Sequence, residues 1–236
     1  MKPVSLIALN FLRQHRWPVL MLFAWIMLTA LAAAGFGRDR AGPDDVVFYV
    51  QQQAIYICVF SAFLAADAIH SERKSRRILL VLSKAVSRAE YLLAVILGTC
   101  AMAFAYALVF GLCGIWLTAR AALPSAGVWS MVLLVMAGSA IAATVALFFS
   151  TLLNPYLATA VTLLLFSAPA FFQAQHHPWS MALPGLSILL DALHFSFRTE
   201  WNPNWRAVWI AIFESVCFWA MAAAVFNRRD IAVPVE

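Results

Sequence analysis

The sequence predicts an all-α integral membrane protein, and three observations carry that prediction. Of its 236 residues, 64% are hydrophobic and only 11% charged, with a mean hydropathy of +0.85; a soluble domain keeps roughly a quarter of its residues charged so that its surface can face water. The apolar residues fall in runs of the length a helix needs to cross a bilayer, about 20 residues. The basic residues sit beside those runs and not on a soluble face, so the net charge of +5 fits a membrane surface and not nucleic acid. Helix is the required form, because backbone donors and acceptors in hydrocarbon have no water to bond.

The runs define a single transmembrane domain, 1–236, with six crossings at about 17–36, 47–66, 91–118, 129–149, 156–172 and 206–226. The first starts at Trp17 after a polar, basic lead. At about 20 residues it exceeds the roughly 7–15 of a signal-peptide core, so it is expected to be a retained span. The fifth is short and carries Pro169 near its end. Trp17, Trp129, Trp179, Trp201 and Trp205 stand at or near predicted span ends, where an aromatic belt belongs. Cys58, Cys100, Cys113 and Cys217 all lie in apolar runs without metal or C-x-x-C spacing, and are expected to be small buried hydrophobes.

Orientation follows from the loops. With six crossings, both termini share a side with the connections at 67–90 and 150–155. That side holds Lys2, Arg13, Arg16, Arg73, Lys74, Arg76, Arg77, Lys84, Arg88, Arg228 and Arg229, against Arg38, Arg40, Arg120, Arg198 and Arg206 on the other. The positive-inside rule therefore places both termini in the cytoplasm of a multi-pass inner (plasma) membrane protein.

Two further segments do not span. In the lead from Lys2 to Arg16, Val4, Ile7, Phe11 and Leu12 share one helical face, the pattern of an interfacial helix. The outer loop 173–205 is not hydrophilic, and its LPGLSILLDALHFSF portion is expected either to lie on the membrane or to re-enter it.

The stretch SERKSRRILLVLSKAVSRAEY, residues 71–91, holds six of the sixteen Lys and Arg. As a helix from Glu72 to Leu82 it would put Arg73, Lys74, Arg76 and Arg77 on one side, with Ile78, Leu79 and Leu82 as an apolar edge. Such a segment either fixes topology on anionic lipid or docks a cytosolic partner; the physics of the segment leaves both open.

Glu72-Arg73, Leu80-x-Leu82-Ser83 and Val86-Ser87-Arg88-x-Glu90-Tyr91 together resemble the signature of ABC-2 type permeases, the membrane subunits of one class of ATP-binding-cassette transporter. Phe149-Ser150-Thr151-Leu152-Leu153-Asn154-Pro155 resembles the family's tight turn between its fourth and fifth spans, and Phe226-x-Arg228-Arg229-Asp230-Ile231 its closing Arg-Arg-Asp. The sequence departs from the pattern at Arg76-Arg77, where the family has Gly-Thr, at Ala85, where it has Pro, and at Ala94-Val95, where Gly-Lys is common. The resemblance implies a cytosolic coupling helix between spans two and three, made by Glu72, Arg73, Lys74, Arg76, Arg77, Ile78, Leu79, Leu82 and Arg88 and seated in a groove of an ABC ATPase. It implies two ATPase copies and a second permease copy, identical or a close paralogue, with substrate passing between the copies along the second and fifth spans.

No G-x-x-x-x-G-K-[ST] occurs, so ATP and Mg are expected on the partner and no cofactor on this chain. The function expected is a permease subunit that exports a substrate and catalyses nothing itself. Its path candidates are Gln51, Gln52, Gln53 and Glu214, the last being the one carboxylate deep in a predicted span, where a charge is costly and marks function or a buried contact. A frayed, solvated helix start is the simpler reading of the glutamines. His176-His177 and Asp191-x-x-His194 lack a third ligand at fixed spacing, so no metal is expected. Ser139 and Thr144 are read as bonding back to their own helix or across to another, and Gly138 with Ala142 as a close-packing pair. The alternatives are a non-transporting anchor or sensor of the same fold, and an intramembrane enzyme using Glu214, Asp191 and the outer histidines, which lacks a complete catalytic set.

Overall fold

A computed structural model describes residues 3–35, 42–74, 87–174, 188 and 194–228. Among them lie seven helices and no strand: α1 (Pro3–Gln14), α2 (Arg16–Ala33), α3 (Pro43–Lys74), α4 (Arg88–Arg120), α5 (Ala126–Ser150), α6 (Pro155–Ala174) and α7 (Trp205–Arg228). Five of them, α2, α3, α4, α5 and α7, are long and apolar enough to cross a membrane. The helix matching the fifth predicted crossing, α6, is twenty residues long.

Local chemistry sets the ends. α3 starts earlier than predicted because Pro43 fits the first helical position, Asp44 and Asp45 favour the positive end, and Asp45 Oδ2 accepts from the Gly42 amide at 2.8 Å. It also runs beyond Ala66, so Glu72, Arg73 and Lys74 belong to its last turn and not to a connecting loop. α4 opens with a reciprocal cap: Ser87 Oγ accepts from the Glu90 amide, and Glu90 accepts from the Ser87 amide at 2.8 Å. Between α5 and α6, residues 151–154 make a tight turn in which Asn154 Oδ1 accepts from the Leu157 amide at 2.8 Å and Pro155 starts α6.

α5 is the central helix, buried along most of its length and packed against α3, α4, α6 and α7. Small residues let the backbones approach: Gly138, Ala142 and Ala146 on α5 meet a core that includes Ala54, Cys58 and Ala62 on α3. A Cβ on Gly138 would stand 3.3 Å from Cys58 Sγ, and on Gly114 of α4 only 2.7 Å from Val128 Cγ1. The expected close packing at Gly138 is thus present. Ser139 donates to Met136 O at 2.8 Å and Thr144 to Ile141 O at 3.0 Å, each within its own helix.

The core falls into two layers. One joins the C-terminal ends of α3, α5 and α7 to the N-terminal part of α4 and to Phe11 of α1. The other joins the C-terminal parts of α2 and α4 to the N-terminal part of α7, to most of the length of α3 and α5, and to Ala158 and Phe166 of α6. Hence α1, the C-terminal end of α3, the first turns of α4, the α5–α6 turn and the end of α7 share one end of the bundle.

α1 differs from its sequence reading in what its apolar face meets. Phe11 is buried, and Ile7 and Leu12 pack beside it against α4, while Leu6 and Leu9 on the other side are the exposed apolar residues. Gly98 makes this fit: a Cβ there would lie 2.7 Å from Phe11 Cδ1 and 3.4 Å from Ala8 O. The chain then turns into α2 at His15, whose buried Nδ1 donates to Phe11 O at 3.0 Å. Gly98→Leu is expected to lift α1 from α4, seen as faster trypsin cleavage at Arg13 and Arg16 in detergent; an unchanged rate would show that the Gly98 contact does not hold α1.

Candidate functional site

Of the predicted coupling residues, Arg76, Arg77, Ile78, Leu79 and Leu82 lie outside the described residues, as do His176, His177 and Asp191. Glu72, Arg73 and Lys74 have a described backbone, at the end of α3. Arg88 is fully described, and its partners were not legible in the sequence. Its Nη1 donates to Phe226 O at 2.7 Å and to Asn227 O at 3.2 Å, carbonyls at the C-terminal end of α7.

That arrangement follows from helix chemistry. The last carbonyls of a helix have no amide partner within it and carry the negative end of the macrodipole, so a guanidinium satisfies both. The Arg88 guanidinium also lies 5.8 Å from the centroid of the Phe226 ring, and Tyr91, one turn on, stacks against Phe226 at 6.4 Å. Trp219 Nε1 donates to Ala89 O at 3.3 Å. The first turn of α4, where the chain leaves the basic stretch, is therefore fastened to the last turns of α7.

The structure separates the three glutamines. Gln53 has no exposed surface. Its Nε2 donates to Thr29 Oγ1 of α2 at 2.8 Å, and its Oε1 accepts from the Tyr106 hydroxyl of α4. Thr29 passes its own hydrogen to Trp25 O or Ile26 O. The result is a relay across α2, α3 and α4 in which each polar group meets another, as a low-dielectric interior demands. Since α3 begins at Pro43, Gln53 lies about 15 Å along the helix, much deeper than a frayed end. Gln51 and Gln52 are half-buried on its flanks. Glu214 is half-buried on α7, whose neighbouring Trp209, Ile212, Phe213 and Val216 are exposed. Gln53 and Glu214 thus differ in setting: the first is enclosed between three helices, the second stands on α7 beside exposed apolar residues.

At the opposite end of the bundle from Arg88, a cavity of about 180 Å³ lies between α5 and the segment before α7, lined among others by Ser130, His194, Arg198 and Asn204. A Cβ on Gly127 would stand 2.7 Å from Ser196 O, so glycine is what lets this segment close on α5. Arg198 braces it, donating from Nη1 to Asn202 O at 3.1 Å. Ile188, 1% exposed, reaches to 3.0 Å of a Cβ placed on Gly138. Gly138 is about 18 Å along α5 from its start, so Ile188 sits well inside the bundle. Sequence reasoning missed Thr29, Tyr106 and Trp219; polar-tipped residues inside apolar runs were the available signal.

The chain matches no known protein-family model, and no curated protein matches it with significance. The class the fold defines is a helical protein with five helices long and apolar enough to cross a membrane, which suggests a multi-pass membrane protein.

Two outcomes follow. Gln53→Met is expected to destabilise the bundle by about 1 kcal/mol by removing the bond to Thr29 and leaving the Tyr106 hydroxyl only the longer bond to the backbone carbonyl of residue 53, and adding Tyr106→Phe should cost less than the sum of the single changes, measured by unfolding in sodium dodecyl sulfate. Arg88→Gln should cost about 1–2 kcal/mol in the same assay, with Arg88→Lys recovering part of it through its charge.

Proposed function

We propose that this chain is the permease subunit of an ABC-2 type ATP-binding-cassette transporter, an exporter working as a dimer of this chain with itself or a close paralogue. Two copies of a separate cytosolic ATPase would bind the basic stretch and supply ATP hydrolysis. The observation that carries the proposal is the junction at Arg88. The end of the basic stretch is bonded directly to the last carbonyls of α7, so a partner that moves the stretch moves two helices of the bundle together.

Other features support the same reading. α6 would be the sixth crossing: its twenty residues reach about 30 Å, the thickness of the hydrocarbon core. With it, both termini fall on the side of the basic stretch, which the positive-inside rule assigns to the cytoplasm of the inner membrane. The depth of Ile188 favours an outer segment that re-enters the membrane. Gln51 and Gln52 would face the path between copies, together with Glu214, whereas Gln53 holds the wall in place through its two partners.

The test is a pull-down of the tagged chain from native membranes in gentle detergent, with mass spectrometry of what accompanies it. A stoichiometric ABC ATPase is expected, absent when Arg76 and Arg77 are both changed to Glu. An ATPase that stays bound to that double variant would remove the coupling role from the stretch. No ATPase at all would leave the stretch as a topology signal.

A further inference from the structure

α2 is the least buried of the long helices, and although its C-terminal half seats Ile26 and Ala30 in the core, it leaves an open furrow beside α4. Between it and α4 runs an apolar groove of about 380 Å³, walled by Met27, Ala30 and Leu31 on one side and Leu112, Cys113 and Trp116 on the other. The groove is at the end of the bundle away from Arg88, since these residues precede the C-termini of α2 and α4. Leu31, Leu112 and Trp116 are partly exposed along its rim, so it opens outward, toward lipid in a membrane.

Above the groove stands a charge. Arg120 closes α4, is exposed, and holds its guanidinium 5.5 Å from the centroid of the Trp116 ring, the last residue of the groove wall. A cation over an indole face is held there by the ring quadrupole. One end of an apolar slot thus carries a positioned positive charge at interface depth, where basic residues meet headgroups.

We propose that this groove binds one acyl chain of an anionic phospholipid, with the lipid phosphate on Arg120. The dimensions suit it. A methylene takes up about as much room as a water molecule, about 30 Å³ in the liquid, so the groove holds about a dozen methylenes, most of one chain. The chemistry suits it too: the wall offers apolar carbon and two sulfur atoms, Cys113 Sγ and Met27 Sδ, 3.6 Å apart, and polarity enters only at the Arg120 end. A bound chain would fill the gap that α2 leaves and so contribute to holding it on α4. The inference needs only a membrane around the chain and is independent of the transporter proposal.

Trp116 reports on the site. The full chain is reconstituted into phosphatidylcholine vesicles containing phosphatidylglycerol, with bromine on the acyl chains of either the phosphatidylglycerol or an equal fraction of the phosphatidylcholine. Subtracting the fluorescence of Trp116→Phe isolates the Trp116 signal. Brominated phosphatidylglycerol is expected to quench that signal more strongly, and Arg120→Gln should weaken the preference about fivefold. Arg120 is exposed, so this change leaves the core intact; native mass spectrometry of the same two proteins should show one retained phosphatidylglycerol on the first and less on the second. Equal quenching by the two brominated lipids would overturn the headgroup contact, and no quenching by either would show the groove to be filled by protein, a second copy included.

Discussion

Helices in hydrocarbon gain nothing by hiding apolar surface from one another, because lipid tails are as apolar as leucine; what holds them together is close van der Waals contact and hydrogen bonding. In this chain that requirement is met at α5. Gly127, Gly138, Ala142 and Ala146 keep its surface low enough for four other helices to touch it. The approaches of Val128 to Gly114 and of Ser196 O to Gly127 are two instances of one constraint, contacts nearer than a side chain would permit, and the approach of Cys58 to Gly138 is tight in the same way. The peripheral helices show the contrast. α2 and α7 keep Trp25, Met27, Trp209 and Phe213 on open faces, where bulk is harmless.

Polar groups supply the second kind of contact, and each joins helices that close packing alone leaves loose. α2 makes few tight contacts but is tied to α3 through Thr29 and Gln53. α7 is tied to α4 at its C-terminus by Arg88 and by Trp219. An unpaired amide or guanidinium would be expensive in this setting, and pairing each one fixes the rotation and depth of a helix as well as its nearness.

Much of the architecture was legible in the sequence because it depends on apolar run length, which the bilayer thickness fixes. The N-terminal helix, the tight turn before Pro155 and the Gly138 contact were legible for similar local reasons. The sequence could not show that α1 would turn its apolar face onto α4, since a membrane interface and a protein groove reward the same amphipathic pattern, and only Gly98 opposite Phe11 distinguishes them. It could not separate Gln53 from Gln51 and Gln52 either. Adjacent helical residues point about 100° apart, and which of the three faces inward depends on where Thr29 and Tyr106 fall. Arg88 was legible as a cation near a span and illegible as a cap, because its acceptors lie more than a hundred residues away in the chain.

The relay through Gln53 also bears on how the chain is made. Synthesis from the N-terminus delivers α2 before α3 and α3 before α4, so Thr29 is already in place when Gln53 enters the bilayer, and Tyr106 is not. A lone glutamine amide in hydrocarbon is costly, while Thr29 can satisfy its hydroxyl on its own helix in the meantime. The early hairpin of α2 and α3 therefore has a reason to form before the rest of the bundle exists, with one acceptor on Gln53 held open until the tyrosine arrives. The order of the polar residues along the chain sets an assembly sequence in which each newly inserted helix finds its partner already waiting.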